Sequence, residues 1–274
     1  MIKALLILFA TIAPLTAMAE LTISGGDNVS RGEPMVVRLK STDSVKNFTI
    51  QWQNITVTPP AICNKVCTAE IILPTNYDKQ GKFPLKVTAG KASKEKTINV
   101  KDRYYRVQKL KVEPKYVQPA KKDSERIQKE SKITRVALTQ FTPTKGWKLP
   151  MQKPINSKLS STFGSARFFN GERRSKHSGL DFVGKTGDKI SAVADGKVVL
   201  AQNLYFGGNA VYIDHGLGVV SASLHMSKML VKKGDTVKRG QTIGLVGATG
   251  RVTGPHLHFS MFAQGVSIDP LLLF

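Results

Sequence analysis

Lys189-Ile190-Ser191-Ala192-Val193-Ala194-Asp195-Gly196-Lys197-Val198-Val199-Leu200 sets two β-prone runs on either side of an Asp-Gly turn. Apolar and β-branched residues interrupted by a short Gly-containing turn are the local mark of paired strands. The pattern extends outward. Ala210-Val211-Tyr212-Ile213 follows the Gly207-Gly208 turn, and further turns fall at His215-Gly216, Gly234-Asp235 and Gly247. Few long helical patterns interrupt them, so residues 145–274 read as an antiparallel-β domain. A faint internal echo relates Lys185-Thr186-Gly187-Asp188-Lys189-Ile190 to Lys233-Gly234-Asp235-Thr236-Val237.

Upstream, residues 20–100 also read as β. Leu21-Thr22-Ile23, Met35 to Leu39, Phe48 to Trp52, Glu70 to Leu73 and Lys96 to Val100 are β-rich runs separated by turn clusters such as Ser24-Gly25-Gly26-Asp27-Asn28. Strands at this spacing suggest an Ig-like β-sandwich. Cys63 and Cys67, the only cysteines, stand close enough for a short disulfide loop in an oxidising compartment. Residues 101–144 change character: strand-like Tyr104-Tyr105-Arg106-Val107 gives way to Lys, Arg, Glu and Gln. Asp123 or Ser124 is a candidate cap for a short helix after Pro119 that runs to about Lys132. This segment reads as a basic, partly helical linker arm and most simply as a spacer. The whole is thus mainly β, in 274 residues.

Residues 1–19 read as an export signal. Lys3 gives a positive start, Ala4 to Ala13 is mostly apolar, Pro14 breaks it, and Ala17-Met18-Ala19 fits a cleavage site. No run approaches the roughly 18–20 apolar residues of a membrane anchor, so the mature chain is expected to be a soluble monomer rather than an integral membrane protein. The formal net charge is +22, and the arm alone carries twelve Lys and Arg against five Asp and Glu. In the cytoplasm such charge would suggest nucleic acid. Export points instead to a periplasm or cell wall and to anionic envelope polymers, with no nucleic-acid partner.

All five histidines fall in the last domain. In His177-Ser178-Gly179-Leu180-Asp181 an offset of four puts both side chains on one face of a strand, and Gly179 with Phe182-Val183 favours the extended form. In Pro255-His256-Leu257-His258-Phe259 the two histidines share one strand face while Leu257 and Phe259 take the other. Zinc accepts His nitrogen and carboxylate oxygen, and a catalytic zinc uses three protein ligands. His177, Asp181 and one histidine of the pair supply that number. His215, in Asp214-His215-Gly216, reads as a turn residue outside the site.

Taken together, His177-x-x-x-Asp181, Ser223-Leu224-His225-Met226, Gly240-Gln241-x-Ile243-Gly244 and Thr253-Gly254-Pro255-His256-Leu257-His258-Phe259, with Phe163-Gly164-x-x-Arg167 upstream, resemble the lysostaphin/LytM-type zinc metalloendopeptidases over about residues 158–270. The resemblance implies a groove floored by an antiparallel sheet, one zinc held by His177, Asp181 and His258, and two non-ligand catalytic histidines, His225 and His256. His256 is assigned as base, and His225 as oxyanion stabiliser or proton donor, with the reverse division open. Arg167 is a candidate groove or supporting residue. The chain departs from the family at Ser223, where an aromatic is common.

The leading function is therefore hydrolysis of peptidoglycan peptide cross-links with zinc-activated water, at the D-Ala–diaminopimelate bond in a periplasm. The alternative is a non-catalytic LytM-like regulator of another wall hydrolase. A lipoyl-type carrier at Lys197 has no use for the histidine motifs. Residues 20–144 are expected to restrain access to the groove; delivery to the anionic wall is the competing role.

Overall fold

The computed structural model describes residues 20–274, without the side chains of residues 173 and 174. The export signal expected at residues 1–19 lies outside the described residues. Nine strands come first: β1 (Leu21–Ser24), β2 (Val29–Ser30), β3 (Pro34–Ser41), β4 (Thr49–Trp52), β5 (Ile55–Val57), β6 (Ile62–Cys63), β7 (Cys67–Pro74), β8 (Gly81–Ala89) and β9 (Ala92–Lys101). They form two sheets, ordered β1-β3-β7-β6 and β2-β9-β8-β4-β5, antiparallel except for β2 with β9.

Period-two alternation builds the core between them. Met35, Val37 and Leu39 of β3 are buried while Arg38 and Lys40 are exposed. They meet Ile50 and Trp52 of β4 and Leu85 and Val87 of β8. Trp52 can be wholly buried because its Nε1–H donates to the Pro74 carbonyl at 2.7 Å. Strand β8 is absent from the sequence reading because Pro84 interrupts it. The structure accommodates Pro84 where β8 has run past β4, whose pairing stops at Leu85. Cys63 and Cys67 are disulfide-bonded across the β6–β7 hairpin.

The arm contains β10 (Val107–Leu110) and a helix, α1 (Lys121–Leu138). The strand starts where the sequence reading ends it, and the helix departs from expectation at both ends. It begins before Asp123 without a side-chain cap and runs six residues past Lys132. The extension has a tertiary cause: Ile133, Ala137 and Leu138 pack on Leu200, Leu204, Tyr212 and Val220, and burial rather than capping carries most helices.

The remaining strands are β11 (Leu159–Ser161), β12 (Ala166–Phe169), β13 (Glu172–Lys176), β14 (Leu180–Val183), β15 (Lys189–Ser191), β16 (Gly196–Leu204), β17 (Gly208–Asp214), β18 (Val219–Met226), β19 (Lys228–Met229), β20 (Thr236–Val237), β21 (Thr242–Leu245), β22 (His256–Ala263) and β23 (Val266–Ile268). The main sheet is antiparallel in the order β11-β14-β22-β18-β17-β16-β20, with β23 also on β22. Leu257, Phe259, Met261 and Ala263 of β22 enter the core on one face. The internal echo is one turn made twice: Asp188 Oδ2 accepts from Lys185 N, and Asp235 Oδ2 from Lys232 N, at 2.7 and 2.9 Å. Gly187 and Gly234 supply the φ near +100° that each turn requires.

Several contacts tie the first sheets and the start of the arm to this part, those of Ile72 and Arg103 among them. Ile72 faces away from its own core, out of phase with Ile71 and Leu73, and joins the core of the second part. Arg103 meets the buried Asp269 at 2.7 Å. Beyond this seam β10 lies parallel to β12, making a small sheet β10-β12-β13. The arm is therefore built into the fold rather than free between its neighbours.

Candidate metal centre and cleft

Three adjacent strands of the main sheet bring the histidine and aspartate motifs together. Register sets Asp181 of β14 opposite His258 of β22, and His258 opposite Leu224 of β18, next to His225. His177 does not share a strand with Asp181. It follows β13, and the chain bends at Gly179 before β14 begins. The bend passes so close to β22 that a Cβ on Gly179 would lie 2.2 Å from the Phe259 carbonyl oxygen. Convergence of His177 and Asp181 thus comes from a bend that only glycine fits.

The ligand-type atoms of His177, Asp181 and His258 all lie within 4.8 Å of one another, and all three residues are buried. His177 Nε2 is 3.0 Å from Asp181 Oδ1 and 3.1 Å from His258 Nδ1, and His258 Nδ1 is 2.8 Å from the same Oδ1. The outer nitrogens fix the inner ones. His177 Nδ1–H donates to the Thr162 carbonyl at 2.7 Å, which leaves the Nε2 lone pair facing the cluster. His258 Nε2 meets Ser260 Oγ at 2.8 Å, which frees Nδ1. A histidine anchored through its far nitrogen is how metal-binding proteins orient ligands, so this donor set fits zinc. Burial pushes His258 down to about 4 against the pull of Asp181. Burial works to raise Asp181, but its close contacts with His177 and His258 outweigh it and hold the carboxyl well below its ordinary range.

A second layer holds the carboxylate. Arg167 of β12 pairs with Asp181 Oδ2. Gln108 Oε1, from β10, accepts from Arg167 Nε and Ser161 Oγ, both at 3.1 Å. Ser161 Oγ also lies 3.0 Å from His177 Nδ1. Gln108 escaped the sequence reading because nothing in a basic arm marks one glutamine. Only the β10–β12 pairing reveals it.

His225 and His256 border the cluster, with rings 5.1 Å apart, and the His225 ring is 6.0 Å from that of His258. His225 Nδ1–H donates to the Thr249 carbonyl at 2.8 Å, and His256 Nδ1–H to the Gly254 carbonyl at 2.9 Å. Both therefore keep Nε2 as an acceptor; that of His256 is 3.7 Å from Asp181 Oδ1. His225 sits in left-handed backbone at φ 64°, held by its N–H to Gly207 at 2.8 Å. Such backbone costs about 1–3 kcal/mol in a non-glycine residue and concentrates at functional sites. Burial, then the neighbouring His258 and His256 rings, push His225 down to about 3.

These residues line a cleft of about 530 Å³, together with Leu110 and Val112 of the arm and Phe169, Phe206 and Arg251. Ser223 is buried between β17 and β22 and is not among the lining residues, so the aromatic wall comes from Phe169 and Phe206 instead. His215 stays apart, buried, with Nδ1 2.9 Å from the Asp195 carbonyl oxygen and Nε2 2.8 Å from Ser221 Oγ. Burial lowers its pKa.

Residues 175–270 match the model of Peptidase family M23. A crystal structure described as a putative peptidase M23 from Pseudomonas aeruginosa is 30% identical, with TM-score 0.71, over 90% of this chain and 95% of that one. Among curated proteins, the peptidoglycan DD-endopeptidase ShyA of Vibrio cholerae is 43% identical over 121 residues, 43% of this chain and 28% of ShyA. The murein hydrolase activator NlpD of Escherichia coli is 37% identical over 131 residues, 47% of this chain and 31% of NlpD. The chain thus spans less than a third of the length of these two relatives.

Proposed function

The chain belongs to peptidase family M23, and from that premise we propose that it is an exported zinc endopeptidase that hydrolyses peptide cross-links of bacterial peptidoglycan, at the D-Ala–diaminopimelate bond. The observation that carries this reading is the convergence of His177, Asp181 and His258 beside two further histidines in one cleft. In this reading His177, Asp181 and His258 hold one zinc per chain. Zinc, when bound there, supplies a Lewis acid for the scissile carbonyl and lowers the pKa of water toward 7.

The histidines divide the proton traffic. His256 is the base: its Nε2 is an acceptor, and the nearby Asp181 carboxylate stabilises the imidazolium that forms once it takes a proton. His225 is also an acceptor at Nε2, because its Nδ1–H is committed to Thr249. It can donate to an oxyanion or a leaving amine at Nε2 only in its protonated form. Arg167, Gln108 and Ser161 keep the Asp181 carboxylate and the His177 ring in place.

We assign residues 1–19 as the export signal, 20–100 as an Ig-like domain, 101–144 as the arm and 145–274 as the peptidase domain of a periplasmic monomer. Two sheets around one core support the Ig-like assignment. Gln108, Leu110 and Val112 are among the residues that line the cleft, so in this reading the arm forms part of the groove.

Incubating the full chain with purified sacculi tests the function. Release of uncross-linked muropeptides, abolished by a zinc chelator, is expected; intact cross-links after incubation with zinc would overturn it. The similarity to NlpD favours one second reading, a regulator that cuts nothing itself. It requires unchanged sacculi with this chain alone and faster release when a partner hydrolase is added.

A further inference from the structure

Three described cations line the cleft, and two have carboxylate partners. Arg167 pairs with Asp181, and Lys176 with Asp78. Arg251 has none: among the described residues no carboxylate stands in ion-pair contact with it. Its guanidinium carbon lies instead 4.5 Å from the Phe169 ring centroid and 4.8 Å from that of Phe206. Rings against a guanidinium remove water from its faces and leave the N–H donors, which lie in its own plane, open to an acceptor. Burial, then the Arg167 cation, lower the pKa of Arg251.

The position is fixed by backbone. Arg251 N donates to the Phe206 carbonyl at 2.9 Å. Gly250, at φ 77°, approaches the β16–β17 turn so closely that a Cβ would lie 2.4 Å from Gly208 N. Thr249, two residues before Arg251, carries the carbonyl that locks His225. The same short loop therefore sets a catalytic histidine and a desolvated, unpaired cation on one cleft.

We propose that Arg251 binds a substrate carboxylate beside the scissile amide and so selects cross-links that carry one. The proposal rests on the endopeptidase reading above and deepens it. In a D-Ala–diaminopimelate cross-link the scissile nitrogen is attached to a carbon that bears a free carboxylate. In a glycine bridge that carbon bears only hydrogens beside the next amide. A guanidinium fork matches a carboxylate with two parallel N–H bonds, which a lysine does not reproduce.

The test measures binding and cleavage separately. A full chain carrying His256→Ala is titrated with a soluble cross-linked muropeptide, so that the ligand is not consumed, and with the same muropeptide amidated at that carboxylate. The acid should bind about tenfold or more tightly than the amide, the range of a charge-assisted bond. Adding Arg251→Gln should bring acid affinity down to that of the amide and leave amide affinity unchanged, which also reports an intact fold; Arg251→Lys should keep part of the preference. Equal binding of acid and amide, no binding of either, or equal loss of both in Arg251→Gln would overturn the proposal. Acid-selective binding with no cleavage by the His256 protein would overturn the endopeptidase reading and leave the carboxylate site standing.

Discussion

Each histidine of the cleft is set by what its far nitrogen touches. Thr162, Ser260, Thr249 and Gly254 hold the outer nitrogens of His177, His258, His225 and His256. The roles then separate by position. His177→Ala or Asp181→Ala removes one of three converging ligands, so each variant should lose most of its zinc; full occupancy in both, by elemental analysis, would defeat the ligand assignment. His225→Ala and His256→Ala should keep zinc yet lose muropeptide cleavage by about a hundredfold or more, the scale of a general acid or base; near-normal turnover in both would show that the proton carriers lie elsewhere. The residue types and their spacing were legible in the sequence because i, i+2 on a strand is a local rule that β22 obeys. The bend that joins His177 to Asp181 was not, since it depends on how closely Gly179 passes β22. Nor was Gln108, whose role depends on a pairing across more than fifty residues.

Among the elements, strands were legible where alternation is clean, as in β3, and missed where one residue breaks a local rule, as Pro84 does in β8. Helix α1 shows the converse. Its sequence marks a short polar helix, yet its last turns are fixed by packing that no local pattern reports. Ala137 is 4% exposed against the sheet, so Ala137→Glu would bury a carboxylate without a partner, at a cost of several kcal/mol if the helix stayed docked. We expect the helix to undock instead. Amide exchange across Lys121–Leu138 should then rise to that of an isolated helix while the main sheet stays protected. The effect should reach the cleft, because Glu130 Oε2 accepts from Tyr205 N at 2.7 Å and so steadies the residue before Phe206. Unchanged exchange in α1 would mean that its contacts with Leu200, Leu204 and Tyr212 do not hold it.

On the scale of the whole molecule, the seam between the first sheets and the second part leads directly into the metal frame. Tyr105 stacks on Tyr77 at 4.3 Å and fills the space beside Gly164, where a Cβ would lie 2.1 Å from its ring. Arg103, two residues earlier, neutralises Asp269, which is 1% exposed. Two residues after Tyr105 the chain enters β10 and delivers Gln108 to Arg167 and hence to Asp181. Arg103→Ala leaves Asp269 buried without its cation, a change worth about 3 kcal/mol or more where one member of a buried pair is removed. The seam should loosen first, and β10 with it. We therefore expect Arg103→Ala, which touches no ligand, to melt in two calorimetric steps and to give up zinc to a competing chelator more readily than the parent. If the first sheets served only to deliver the enzyme to the wall, the variant would lose sacculus binding while its zinc affinity stayed that of the parent. That outcome would detach the seam from the metal centre and return the arm to the role of a spacer.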